Sequence, residues 1–276
     1  MANSGNNLFI LVPSAEVVDA ESIGVTFCDN TRANAVINQV DSVTNLCVLN
    51  VKKSYLSEKT LENILTASLG SSNLSTLTGL PVIALGSPLG IQDSMSYGII
   101  TSEKSTLDLM DSCYKLITTN IVGSSNGTGI LVTLNGNVVG IIDMSRAPSD
   151  LSNNICALGI TELKSLIEDL SNGRERGHLG IHGTTVPDEI QEEQQMPAGA
   201  YISKVEMSSP AMKAGIQSGD IITAVDDTEI VTYEQLINKL AGYSPDDIIS
   251  ITVMRQAPND YIEIVMEATL TNNLEE

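Results

Sequence analysis

Residues 131–142, Leu131-Val-Thr-Leu-Asn-Gly-Asn-Val-Val-Gly-Ile-Ile142, set two β-rich runs on either side of Asn135-Gly136. An Asn-Gly pair readily takes two successive positive φ values, so the stretch predicts a hairpin closed by a type I′ turn. The same pattern extends outward. Ile23, Val25 and Phe27 share one strand face and stop at Asp29-Asn30, and runs over 33–40 and 45–51 repeat the form. Gly86-Ser-Pro-Leu-Gly90 makes a turn before a strand through Ile99 and Ile100. Many short antiparallel strands predict a barrel or sandwich for the first part of the chain. A helix over 161–170, with Thr161 as N-cap and Gly173 just past its end, closes that part.

The polar stretch Ser171-Asn-Gly-Arg-Glu-Arg-Gly177 is the best linker, and beyond it the pattern changes. Strands are expected over 179–182, 200–205, 221–225, 248–255 and 261–268. An acidic loop over 188–195 follows the first of them. Residues 208–214 predict a short helix stopped by Gly215. Thr232 and Gln235 form a capping-box pair for an amphipathic helix over 232–240, whose apolar stripe is Leu236, Ile237 and Leu240. This second part has the size and mixture of a single α+β domain.

Charge narrows the function. The 276 residues carry 14 Lys plus Arg against 34 Asp plus Glu, a formal net charge of -20. Such a surface repels phosphate backbones and anionic lipid, so nucleic acid is not an expected partner. No apolar run approaches the roughly 20 residues of a membrane span, so direct membrane insertion is not expected. Residues 1–7 are polar and lack the basic and apolar regions of a signal peptide, which fits a cytoplasmic chain or one whose anchor lies upstream. With no Trp and two Phe, Val, Ile and Leu must build the core. The cysteines at 28, 47, 113 and 156 have no metal or redox spacing, and Cys28 and Cys47 fall in apolar runs, so buried free thiols are expected there. No metal or other cofactor is called for.

Taken in order, several short strings resemble the HtrA (Deg) family, a chymotrypsin-like serine protease domain followed by a PDZ domain. They are Val25-Thr-Phe27, Thr44-Asn-Leu-Cys-Val-Leu49, Leu69-Gly-Ser71, Val82-Ile-Ala-Leu-Gly-Ser-Pro-Leu-Gly90, Gly98-Ile-Ile-Thr101 and the 131–142 hairpin. In the second half they are Leu179-Gly-Ile181, Ser209-Pro-Ala211, Ala214-Gly-Ile216 and Gly219-Asp-Ile-Ile222. The resemblance implies a mainly β chain, a chymotrypsin-like double β-barrel and then an α+β PDZ domain. It divides the sequence into a protease-like domain over 1–171, shortened at its N-terminus, a linker over 172–178, a PDZ domain over 178–272 and a tail over 273–276.

The family hydrolyses peptides with a Ser-His-Asp triad, and the resemblance puts other residues at all three positions. Ser14-Ala15-Glu16-Val17 stands at the histidine segment, so Ala15 takes its place. Asn45 of Thr44-Asn45-Leu46-Cys47 stands for the aspartate. Gly127 of Ser125-Asn126-Gly127-Thr128-Gly129 stands for the serine, with Ser125, Asn126 and Gly127 over the former oxyanion loop. Independently of that alignment, the only histidines are His178 and His182, so no imidazole precedes Gly177. Six lysines of the first half (52, 53, 59, 104, 115 and 164) are candidates for a substitute base, and Ser124, Ser125 and Thr128 for a substitute nucleophile.

A PDZ domain offers backbone N–H groups to a C-terminal carboxylate and adds the peptide to a strand edge. Here the resemblance assigns that role to His178, Leu179, Gly180 and Ile181, with Leu179, Ile181, Leu236 and Leu240 forming the apolar pocket. The expected protein is a pseudoprotease that binds peptide C-termini or unfolded segments. The alternatives are an endopeptidase with an unrecognised nucleophile and a scaffold subunit pairing with an active relative. Homo- or hetero-oligomers and an extracytoplasmic setting are implied by the family alone.

Overall fold

The computed structural model describes residues 2–73, 77–149, 152–258 and 260–272, so the tail over 273–276 lies outside the described residues. The chain falls into two compact units, Met1–Leu107 with Tyr114–Gly173, and Asp108–Cys113 with Arg174–Glu276.

The first unit opens with β1 (Ala2–Ser4), β2 (Asn7–Pro13), β3 (Ile23–Thr26), β4 (Arg32–Asp41) and β5 (Leu46–Lys52). These make one sheet in the order β1-β2-β5-β4-β3 around a core that includes Leu8, Phe27, Cys47, Leu49 and Val51. Short α1 (Glu58–Asn63) and β6 (Ser68–Leu69) lead to β7 (Pro81–Ser87), β8 (Ser94–Leu109), β9 (Ser112–Val122), β10 (Thr128–Thr133), β11 (Asn137–Asp143) and β12 (Asn154–Gly159). Their order is β10-β7-β8-β9-β12-β11-β6, and β10 also pairs with β11. That extra pairing joins the first strand of the series back to the sixth, closing a β-barrel. Its interior is aliphatic, with Ile100, Ile117, Leu131 and Ile155 fully buried, as a chain without Trp requires.

Two local expectations differ from the structure. The 131–142 hairpin forms, but only Gly136 has positive φ (80°), and its N–H donates to the Thr133 carbonyl at 2.9 Å. The connection is a three-residue loop ending in a left-handed glycine, not a two-residue type I′ turn. Thr161 is not an N-cap either. Helix α2 spans Ile160–Asn172 with Gly159 before it, and Gly173 ends it in the left-handed conformation as expected. The Thr161 hydroxyl accepts from the Ser72 N–H at 2.7 Å, while the Ser72 hydroxyl accepts from the Thr161 N–H at 3.0 Å. A neighbouring segment thus does the capping that the sequence assigned to the helix itself.

The second unit contains β13 (Ile181–Thr185), α3 (Asp188–Gln194), β14 (Ala200–Val205), α4 (Pro210–Ala214), β15 (Ile221–Val225), β16 (Thr228–Glu229), α5 (Tyr233–Leu240), β17 (Ile248–Gln256) and β18 (Tyr261–Thr269). The sheet runs β13-β14-β15-β17-β18, with β16 attached to β15 and β13 at one edge. Thr232 caps α5 by accepting from the Gln235 N–H, and the Gln235 side chain accepts from Val231, so the capping pair forms one residue displaced. The acidic loop expected over 188–195 is instead α3. None of its residues is buried, so no apolar period marked it, and Asp188 and Glu189 lie in its first turn, where the helix dipole favours negative charge.

Residues 108–113, within the first domain by sequence, separate with the second unit. They form the tip of the β8–β9 hairpin, and Cys113 packs against that unit's core. No helix among the described residues is long and apolar enough to cross a membrane.

Candidate functional site

Within the first unit, Ala15, Asn45, Ser125, Asn126 and Gly127 line one cavity of about 700 Å³. Ala15 lies in a 3-10 turn directly after β2, and the neighbouring Ser14 N–H donates to the Asn45 carbonyl at 2.8 Å. Asn45 ends the tight β4–β5 turn with φ of 56°, a conformation that asparagine tolerates better than most residues. Gly127 sits in the turn between β9 and β10. Three segments, each some eighty residues or fewer from the next, are thereby gathered around one opening.

The chemistry available there is limited. Among the described residues, the ionisable side chains lining the cavity are Glu16 and Asp143, and the lining includes no His, Lys or Arg. Of the candidate lysines, Lys115 donates from Nζ to the Ser72 carbonyl at 2.7 Å, and Lys53 to that of Gly5 at 2.5 Å. Asp143 turns toward its own chain, accepting from the Ser145 N–H at 3.0 Å. Ser125 and Thr128 line the cavity. Two of the three amides of the loop assigned to the oxyanion position are occupied within the turn. Gly127 N–H donates to the Ser124 carbonyl at 2.8 Å, and Asn126 N–H to the Ser124 hydroxyl at 3.3 Å. An oxyanion hole needs donors aimed outward at the developing charge.

The second unit assembles the other expected site. Leu179, Ile181, Leu236 and Leu240 are all buried in its core, so the apolar residues assigned to a peptide pocket are also packing residues. Gly180 has φ of 85°, which a side chain would strain, and this lets three consecutive amides converge. They converge on Asp111. Its carboxylate accepts from Leu179 N–H at 2.9 Å, from Gly180 N–H at 3.0 and 2.9 Å, and from Ile181 N–H at 3.0 Å. The Asp111 N–H donates in turn to the Ile181 carbonyl at 2.8 Å. The side chain is only 6% exposed, and His178 Nδ1 lies 3.4 Å from Oδ2. His178 is half-buried, and its backbone pairs with Thr271.

Farther along β13, the Tyr233 ring lies against Gly183, and its hydroxyl finds no hydrogen-bond partner among the described residues. Burial, with Asp111 and Asp108 nearby, pushes that phenol well above its ordinary value. At the other end of the strand, Glu206 meets Lys204 Nζ and His182 Nε2, each at 2.7 Å.

Asp111 was missed from the sequence. Met110-Asp111 lies between two strand-like runs, and an Asp that accepts φ of 50° is a fair turn signal. Nothing local says that the turn meets a loop 68 residues away.

No disulfide joins the four cysteines. Cys47 and Cys156 are buried, and burial raises both thiols. Cys28 is exposed, contrary to expectation: Phe27 takes the core-facing place and alternation turns its neighbour outward.

Residues 177–265 match the PDZ domain family. Over 266 residues the chain is 29% identical to Serine protease Do-like HtrA of Bacillus subtilis, covering 90% of this chain and 58% of that protein. It is 26% identical over 256 residues to Periplasmic serine endoprotease DegP of Salmonella typhimurium, covering 89% of this chain and 52% of that one. The chain therefore spans between about half and two thirds of the length of such curated relatives. Among solved structures, HtrA-type protease AlgW with decapeptide matches at a TM-score of 0.66 and 24% identity, covering 97% of this chain and 80% of that one. Fold, domain order and these likenesses together show a mainly β, barrel-containing unit followed by a PDZ domain, an arrangement similar over nearly the whole chain to the HtrA/DegP serine proteases.

Proposed function

We propose that this chain is a pseudoprotease that binds polypeptide C-termini or unfolded segments through its PDZ domain without hydrolysing them. The observation that carries the reading is the lack of a base: no histidine precedes Gly177, and among the described residues no basic side chain lines the cavity where Ala15, Asn45 and Gly127 meet. A serine or threonine hydroxyl needs a neighbouring base to attack at neutral pH. In another serine protease, removing the triad lowers kcat by about 10⁶-fold. The inward-bonded amides of Asn126 and Gly127 supply little toward an oxyanion.

The binding half of the reading draws on three converging amides beside an edge strand, a geometry suited to a carboxylate on an added strand. Residues 174–276 carry 6 Lys plus Arg against 18 Asp plus Glu. Peptides with basic residues upstream of an apolar C-terminus should therefore be preferred, and the preference should fade with salt.

A fluorogenic casein digest tests the first half. The expected result is no turnover above a buffer control. Turnover that disappears in a Ser124→Ala, Ser125→Ala, Thr128→Ala triple variant would establish the alternative, an endopeptidase with a substitute nucleophile, which the names of the relatives favour.

A further inference from the structure

We propose that Asp111 is a built-in ligand of the PDZ carboxylate site, so that the chain holds its own peptide-binding loop closed. This deepens the binding reading above and rests on it.

Three features separate this arrangement from an ordinary turn contact. First, the carboxylate makes four N–H···O bonds with the consecutive amides of Leu179, Gly180 and Ile181, and both oxygens take part. Charge-assisted bonds to a carboxylate are the strong class, and this carboxylate is almost wholly removed from water. Second, the Asp111 N–H continues the pattern by donating to the Ile181 carbonyl, as the last residue of an added strand does. Third, the residues around it are fitted to the place. Cys113 packs against the apolar core, and the Ser112 hydroxyl returns to the Met110 carbonyl at 3.1 Å, bracing the turn that aims the carboxylate.

An external C-terminus needs the same three amides and the same carbonyl. Both ligands cannot be seated at once, so binding requires the 108–113 tip to leave. A ligand tethered to its site acts at an effective concentration on the order of millimolar. The apparent affinity for a competing peptide falls by the fraction of molecules whose loop is open. A tether that fills the loop nine times in ten weakens peptide binding about ten-fold. The ligand class that can open the site is a free C-terminal carboxylate on an extended segment.

The test uses the full chain and a fluorescein-labelled decapeptide with upstream lysines and a C-terminal valine, as the free acid and as the amide. Asp111→Gly removes the carboxylate while tolerating the positive φ of that position. Asp108→Asn removes a nearby charge and leaves the loop contact intact. The expected result is at least ten-fold tighter binding of the free acid by Asp111→Gly than by the parent, no gain in Asp108→Asn, and no binding of the amide. In parallel, ¹⁵N spectra and hydrogen exchange of Leu179, Gly180 and Ile181 should change in Asp111→Gly and not in Asp108→Asn.

Unchanged amides in Asp111→Gly would overturn occupancy of the loop, whatever the peptide does. Equal free-acid affinity in parent and Asp111→Gly would overturn the closure while leaving the receptor reading standing. Altered amides with no peptide bound by either form would overturn the receptor reading, and the inhibitory role with it. The spectra tell that failure apart from the first.

Discussion

Gly127 and Pro88 are packed backbone to backbone: a Cβ built on Gly127 would stand 2.7 Å from the Pro88 carbonyl oxygen and 3.0 Å from that of Ser124. Real Cβ atoms do not approach main-chain oxygen so closely, so the turn must move before any side chain fits. Writing a nucleophile back at this position is therefore not a local change. A triple variant carrying Ala15→His, Asn45→Asp and Gly127→Ser should show no casein cleavage above background. The single change Gly127→Ser should lower stability by about 1–3 kcal/mol, the usual cost of overpacking. A urea melt and a fluorogenic digest check both, and robust turnover by the triple variant would show that the turn yields easily.

Arg255 clamps Asp220 through two parallel bonds, Nε to Oδ1 at 2.7 Å and Nη2 to Oδ2 at 2.8 Å, and Nη2 also reaches the Gly215 carbonyl at 2.8 Å. Asp220 is 1% exposed, so removing its partner strands a buried charge. Arg255→Ala should cost about 3 kcal/mol or more by chemical denaturation. Arg255→Lys should recover only part, because an ammonium cannot reproduce the planar fork.

Glu206 provides an acid-range signature. The Lys204 ammonium, then His182, holds its carboxyl below the ordinary value of 4.5. A depressed folded value means that the contribution is present above pH 4.5 and is lost as pH falls through the folded value. The carboxylate is 28% exposed and Lys204 62%, so solvent screening keeps the effect under about 1 kcal/mol. Glu206→Gln should be slightly less stable than the parent at pH 7 and indistinguishable near pH 3 in urea titrations.

The Tyr233 hydroxyl is buried with no partner among the described residues. Tyr233→Phe should leave the protein unchanged or up to about 1 kcal/mol more stable, since nothing is lost and a desolvated donor is removed. A destabilisation beyond 1 kcal/mol would point to a bridging solvent molecule.

Thiol labelling should resolve three classes. Cys28 is exposed and should react with Ellman's reagent first, and half-buried Cys113 next. Cys47 and Cys156, buried and with raised thiols, should wait for denaturant. Rapid release of all four in native buffer would contradict the packing.

What could be read from the sequence was what is written locally. Alternation over 23–27, 33–40 and 45–51 located strands whose side chains face one core. Thr232 and Gln235, and Gly173 and Gly215, marked helix ends because capping is set by neighbours in sequence. The cluster of Ala15, Asn45 and Gly127 was reachable only through motif order, since no composition or period connects them. Two of the misses share one cause, a partner distant along the chain. Ser72 took the role assigned to Thr161, and the length of the β8–β9 hairpin carried Asp111 to a loop that the sequence leaves open for a ligand.

The closed ring of strands in the first unit has a consequence for what the chain can afford to lose. Each of the strands β10, β7, β8, β9, β12 and β11 has a partner strand on both sides, and the aliphatic interior is built without any residue of the 124–127 turn. Architecture and reactivity are therefore separable at this rim. A polypeptide can abandon cutting there and keep its shape, free to be retained for what it holds.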